Sequence, residues 1–218
     1  MIIFDCNGVL VDGEPIANAV AAEEFARAGF PMTPDLVARF FAGRRPADMF
    51  AAVEKATGRK LPANFSAVVA AATLRRFRAE LRPTPHAAHA LTWLRGPKCV
   101  ASSSSLDRIR ISLETTGLLR FFEPRLFSAS DVTRGKPAPD LFLRAAERTG
   151  VAPSDCIVVE DSPAGVAAAT AAGMTSIGFV GGTHAGPELG PMLLAAGART
   201  VIADMRMLKG TVVAIRGW

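Results

Sequence analysis

Long apolar runs, paired cysteines and dense basic tracts are all missing from this 218-residue chain. A bilayer span needs roughly 20 consecutive apolar residues, and no stretch supplies them. The N-terminus begins directly with strand residues and carries no signal-peptide pattern. The three cysteines, Cys6, Cys99 and Cys156, are odd in number and form no C-x-x-C pair. Each falls in or beside an expected core strand, so they read as reduced, buried thiols of a cytoplasmic protein. That excludes a disulfide framework and a cysteine zinc site. No Lys/Arg run is interleaved with aromatics, so neither nucleic acid nor a membrane is an expected partner. The histidines show no ligand spacing, and His86 and His89, one helical turn apart, read as surface residues. There is no internal repeat and no low-complexity tract.

What is present is ordinary for a soluble enzyme: half of the residues are apolar and 21% are charged. The length allows a full core and a smaller second domain. The formal charge is +5, and the excess concentrates between residues 13 and 82, with 11 Lys/Arg against 7 Asp/Glu. A basic lid above an acidic centre suits a small anionic substrate; a solvated helical face explains the same excess equally well. Oligomeric state is left open, a monomer being the favoured expectation.

The pattern predicts a short buried strand over residues 2–5, a turn permitted by Gly8, then helices over 17–28, 34–41, 46–57 and 66–81, the last capped by Ser66. Pro83 and Pro85 mark the return. From residue 84 strands and helices alternate, with strands at 99–102, 126–128, 156–160, 176–180 and 200–203. Helices at 86–94, 107–116, 139–149, 164–172 and 191–196 lie between them, several stopped by glycine. This alternation predicts an α/β fold: a doubly wound parallel sheet core from residues 1–13 and 83–218, with a helical cap, 14–82, inserted after the first strand.

Three of the strand-like runs end in a polar group: Asp5 in IIFDCNGVLVD, Ser102 in CVASSSS, and the Glu160–Asp161 pair in CIVVEDSPAGV. Lys136, in RGKPAPDLF, lies between the second and third. Each has a commonplace reading alone: a turn aspartate, a serine linker, a solvated lysine, a helix start. Together they would meet at the carboxyl edge of a parallel sheet, where open α/β sheets bind ligands. Carboxylates, one cation and a hydroxyl at one point form a magnesium site suited to phosphate.

In order and flanks these segments resemble the four motifs of the haloacid dehalogenase-like hydrolase superfamily, in the helical-cap branch near β-phosphoglucomutase and phosphoglycolate phosphatase. FDCNGVLVDGE is similar to the first motif, D-x-D-G-V-L-V-D-S-E, ASSSS to the second, GKPAPDLF to the third and VVEDSPAGVAAATAAGM to the fourth. The resemblance covers nearly the whole chain. It implies a Rossmann-like core, a mobile cap and hydrolysis of a small phosphorylated metabolite, such as a sugar phosphate, through an aspartyl phosphate. Asp5 is then the nucleophile, Lys136 a fixed positive charge and Ser102 a hydrogen-bond donor to the phosphoryl group. Mg2+ is the implied cofactor, held by Asp5, the backbone carbonyl of Asn7, Asp161 and, directly or through water, Glu160. Ser103 and the cap loop Gly43, Arg44 and Arg45 are the expected substrate contacts, since arginine takes phosphate or carboxylate in a forked geometry.

Two positions depart from the motif. Gly13 replaces a common Ser. Asn7 stands where the family has its acid–base Asp, and an amide cannot exchange that proton. The expectation is a folded, metal-binding protein with reduced turnover. The alternatives are a phosphomutase, or a degenerate phosphate-binding protein without turnover. Phosphonate-cleaving relatives use a cap lysine instead, and AGRRPAD has none; an aromatic, as in the dehalogenases, is also missing there.

Overall fold

The first residues alternate between two buried faces, as a strand must. Ile2 and Phe4 enter one apolar cluster, Met1 and Ile3 another. Burial on both faces is the condition of a parallel sheet covered by helices on each side. A computed structural model describes residues 1–41 and 46–217. Its elements run β1 (Ile2–Phe4), α1 (Glu14–Arg27), α2 (Pro34–Phe41), α3 (Pro46–Thr57), α4 (Phe65–Glu80), α5 (Ala87–Trp93), β2 (Lys98–Ser102), α6 (Leu106–Thr115), β3 (Leu126–Ser128), α7 (Asp140–Thr149), β4 (Ile157–Glu160), α8 (Pro163–Ala171), β5 (Thr175–Phe179), α9 (Leu189–Ala195), β6 (Thr200–Ile202) and α10 (Leu208–Arg216).

The expected α/β fold, a doubly wound parallel sheet, is what forms. All strand pairs are parallel, in the order β3-β2-β1-β4-β5-β6. Ile3 of β1 sits opposite Cys99 on one side and Val158 on the other. The chain therefore winds outward in one direction from β1 and then in the other from β4. The gap between the carboxyl ends of β1 and β4 is the switch point where such sheets open a crevice. On the Phe4 face the core takes Leu91, Ile109, Leu113, Leu208 and Val212 from α5, α6 and α10. The Ile3 face takes Leu141, Phe142, Ala168 and Ala169 from α7 and α8. The small residues of α8 seat that helix closely on the sheet. Cys6, Cys99 and Cys156 are free and buried. Among the described residues no helix is long and apolar enough to cross a membrane.

Helices α1 to α4 enclose a separate apolar cluster drawn from residues 20–72. Its centre is aromatic: Phe25 and Phe50 both pack on Phe65, at 4.9 and 5.1 Å between centroids. The chain leaves and re-enters this unit through adjacent antiparallel segments, with Asp12 N donating to Arg82 O (3.0 Å) and Thr84 N to Leu10 O (2.9 Å). The end of α4 differs from the rest of the unit. Phe77 and Leu81 are buried in the sheet-side core, so α4 reaches across to it.

Three local expectations change. Helix α1 starts at Glu14 rather than residue 17, because Pro15 is accommodated in its first turn, where the missing N–H costs nothing. Ser66 is not a cap; α4 starts one residue earlier and Asn64 takes the N-cap position without a side-chain bond. A further helix, α10, follows β6 and covers the Phe4 face through Leu208 and Val212.

Phe122 is fully buried and meets Phe4 edge-on, at 5.8 Å and 70°. Phe122→Ala should lower unfolding free energy by about 3–5 kcal/mol, read from urea denaturation, since the cavity left behind cannot fully collapse.

Candidate active site

Asp5 directly follows β1, Ser102 ends β2 and Glu160 ends β4, so all three arrive at the carboxyl edge by strand geometry alone. Asp5 is held in line because its N–H donates to Val159 O at 3.0 Å. Lys136 comes from the loop before α7. That loop is pinned by Arg134, whose Nε and Nη2 donate to Asp140 at 3.0 and 2.7 Å. From there the Lys136 ammonium, on a side chain only 1% exposed, donates to Asp5 Oδ1 at 2.6 Å and to Glu160 Oε1. A longer bond reaches Ala101 O at 3.4 Å. Burial works against the charge on Lys136, but Asp5 and Glu160 outweigh it, and its pKa is raised.

Glu160 is wholly buried, and both its oxygens are committed. Oε1 accepts from Lys136, while Oε2 accepts from Ser162 N (3.0 Å) and Ser162 Oγ (2.9 Å). Ser162 in turn caps α8, its Oγ accepting from Gly165 N at 3.0 Å. Gly165 has no room for a side chain: a Cβ there would fall 2.0 Å from the Glu160 carboxyl. Asp161 points the other way. Its Oδ2 accepts from His184 Nε2 at 3.0 Å. His184 lies in a slot between Gly8 and Gly182, where a Cβ at either position would come within 2.8 Å of the imidazole. The loop carrying it is tied to the first motif by Thr183, whose Oγ1 donates to Asp12 at 2.8 Å.

Asn7 Nδ2 donates to Ser104 Oγ at 3.3 Å, and Ser104 N donates to Ser102 Oγ at 3.4 Å. Asn7 Oδ1 is buried without a partner. The amide oxygen packs on Gly13, where a Cβ would stand 2.6 Å from Oδ1 and 2.9 Å from Phe77 Cζ. The two departures from the motif are therefore in contact: glycine at 13 leaves the space that the Asn7 amide fills.

Of the residues singled out from sequence, Asp5, Asn7, Ser102, Ser103, Lys136 and Asp161 line one cavity of about 850 Å³, between the sheet edge and the cap helices. That is within the range of small-molecule sites. Glu160, expected to touch a metal, does not line it; its oxygens face Lys136 and Ser162. Gly43, Arg44 and Arg45 lie outside the described residues. The cavity also takes in Glu14, Arg108 and His184, which the sequence reading did not include. For His184 the available signal was the glycine pair Gly181–Gly182 just after a strand, which marks close backbone approach.

Magnesium takes hard oxygen donors, commonly one or two carboxylates plus water and substrate oxygens. Asp5 and Asp161 are such donors. Burial pushes both carboxyls up. At Asp5, Lys136 opposes the rise while Glu160 and Asp161 add to it. Asp161 rises to about 6 although the His184 bond opposes. One ammonium among three buried carboxylates leaves a surplus of negative charge, and a hard divalent cation fits it. Among the described residues no three His, Cys, Asp or Glu side chains form a ready metal cluster.

Lys136→Met should lower unfolding free energy by about 3–5 kcal/mol in metal-free urea melts, because it strands buried carboxylates without their counter-charge. Gly13→Ser should cost about 1–3 kcal/mol by overpacking against Asn7 and Phe77, and a neutral result would mean that Asn7 turns away freely.

The haloacid dehalogenase-like hydrolase family matches residues 1–173. The chain is 31% identical over 191 residues to the 6-phosphogluconate phosphatase of Escherichia coli, covering 87% of this chain and 86% of that protein. It is 30% identical over 213 residues to a phosphorylated carbohydrates phosphatase of Thermotoga maritima, covering 95% of each. A haloacid dehalogenase-like protein of Agrobacterium tumefaciens superposes with a TM-score of 0.85 at 37% identity, over 99% of this chain and 98% of its own. With the parallel sheet, the inserted helices and four motif segments in order, the chain belongs to the haloacid dehalogenase-like hydrolase family.

Proposed function

We propose that this protein is a magnesium-dependent phosphatase of a small phosphorylated sugar, working through an aspartyl phosphate on Asp5, with turnover restrained by Asn7. The observation that carries the reading is the Lys136 ammonium bonded to both Asp5 and Glu160, in a switch-point cavity that Ser102 also lines. The substrate class is supported by the two phosphatases of phosphorylated carbohydrates named above.

In this reading an Asp5 carboxylate oxygen attacks phosphorus, and the P–O bond to the sugar breaks as the P–O bond to Asp5 forms. This splits one hard displacement into two. The sugar oxygen leaves and takes its proton from water, since the Asn7 amide has none to give. Water then attacks the aspartyl phosphate, releasing inorganic phosphate and restoring Asp5. Lys136 neutralises charge on the nucleophile and the phosphoryl oxygens, and the Ser102 hydroxyl donates to the phosphoryl group. Glu160 keeps Lys136 in place. Asp5, Asp161 and the Asn7 backbone carbonyl would hold Mg2+, which supplies charge neutralisation at the phosphoryl oxygens. Ser103 and the cap loop Gly43, Arg44 and Arg45 would hold the rest of the substrate, and closure of the cap would exclude water. A cytoplasmic location suits the free thiols.

Asn7→Asp restores a proton donor and acceptor at that position. It should raise magnesium-dependent phosphate release from sugar phosphates and an aryl phosphate by about 10²–10⁴-fold. Adding Asp5→Asn should abolish the gain. If the Asn7→Asp protein releases no phosphate from any of them, with or without magnesium, the phosphatase reading is wrong.

A further inference from the structure

Several charged side chains of the cavity have no place in the chemistry above, and Arg108 is the one with an unpaired buried donor. Arg108 projects from the first turns of α6, whose start is fixed by the Ser105 cap (Oγ accepting from Arg108 N, 3.4 Å). Its guanidinium lies over the Phe77 ring, 4.8 Å from the centroid. Phe77 is buried and comes from the end of α4 that reaches into the sheet-side core, so the guanidinium rests on a fixed platform. The Nε–H is buried and has no partner. A buried guanidinium donor left unpaired is expensive, and Arg108 is part of the cavity lining, where an acceptor on a bound ligand would meet its side chain.

Glu14 lines the same cavity and opens α1. Burial lowers the Arg108 pKa, and Glu14 is the strongest influence opposing that fall. Asn18 adds an amide to the same wall one helical turn further along α1. The wall therefore offers a donor, an acceptor and an amide. A second anionic group on the substrate would gain Arg108 but meet the Glu14 carboxylate. A run of hydroxyls uses both, accepting from Arg108 and donating to Glu14.

We propose that Arg108 and Glu14 form a specificity wall that reads hydroxyl groups, so the site selects an uncharged polyol or sugar phosphate over the matching sugar-acid phosphate. This rests on the phosphatase reading and narrows its substrate class. It also separates this chain's preference from that of a relative named for 6-phosphogluconate.

The test is titration calorimetry on the Asn7 chain with magnesium, where the reduced turnover expected of Asn7 would leave binding measurable. The probes are inorganic phosphate and two matched pairs: glycerol 3-phosphate against 3-phosphoglycerate, and glucitol 6-phosphate against 6-phosphogluconate. In each pair the polyol phosphate should bind more tightly. Arg108→Met, which keeps an apolar contact on Phe77, should weaken the polyol phosphates by about tenfold or more, the loss of a charged hydrogen bond, while phosphate stays within about twofold. Glu14→Gln should narrow the gap to the acids. Tighter binding of either acid by the parent, or an equal loss for phosphate and polyol phosphates in Arg108→Met, overturns the wall. Failure of phosphate to bind the parent at all would instead strike the phosphatase reading beneath it.

Discussion

The site depends on a single buried ammonium. Lys136 holds Asp5 and Glu160 together, and these follow strands that are neighbours in space but distant in sequence. Taking three charges out of water is costly, and their attraction repays that cost only with good geometry and satisfied hydrogen bonds. The surrounding structure supplies both. Glu160 is locked by Ser162, which also starts α8, and α8 can lie close because Gly165 has no side chain to strike the Glu160 carboxyl. The fourth motif thus has a mechanical function besides any chemical one: it makes Glu160 a rigid brace for the lysine.

The same packing logic explains the neighbourhood of Asp161. Gly8 and Gly182 open a slot for His184, and Thr183 ties that loop to Asp12, beside the segments that join the two units. The first motif and the His184 loop are therefore tied together. The pairing of Asn7 with Gly13 belongs to this region too. The amide fills space that a side chain at 13 would occupy, so these two departures from the family pattern form one packing unit.

Much of this was legible in the chain itself. Strand alternation, glycine stops, three polar strand ends and the Lys136 loop gave the parallel sheet, its inserted helices and the residues at its edge. The misreadings are local and have local causes. Ser66 looked like a cap by residue type, but α4 begins one residue sooner. Pro15 was read as preceding α1, whereas a first helical turn accepts it. Helix α10 passed unassigned because only Leu208 and Val212 of its apolar residues are buried, and they gain meaning from the face they cover.

By itself the sequence determined which residues stand at strand ends, because a period of two and a following turn fix where each side chain emerges. It could not say which way Glu160 and Asp161 face, since adjacent carboxylates diverge according to what packs on them. Nor could it show that Arg108, His184 and Glu14 share a cavity with Asp5. Those contacts join segments whose separation along the chain carries no distance information, and only the closing of the sheet, the cap and the His184 loop brings them within reach.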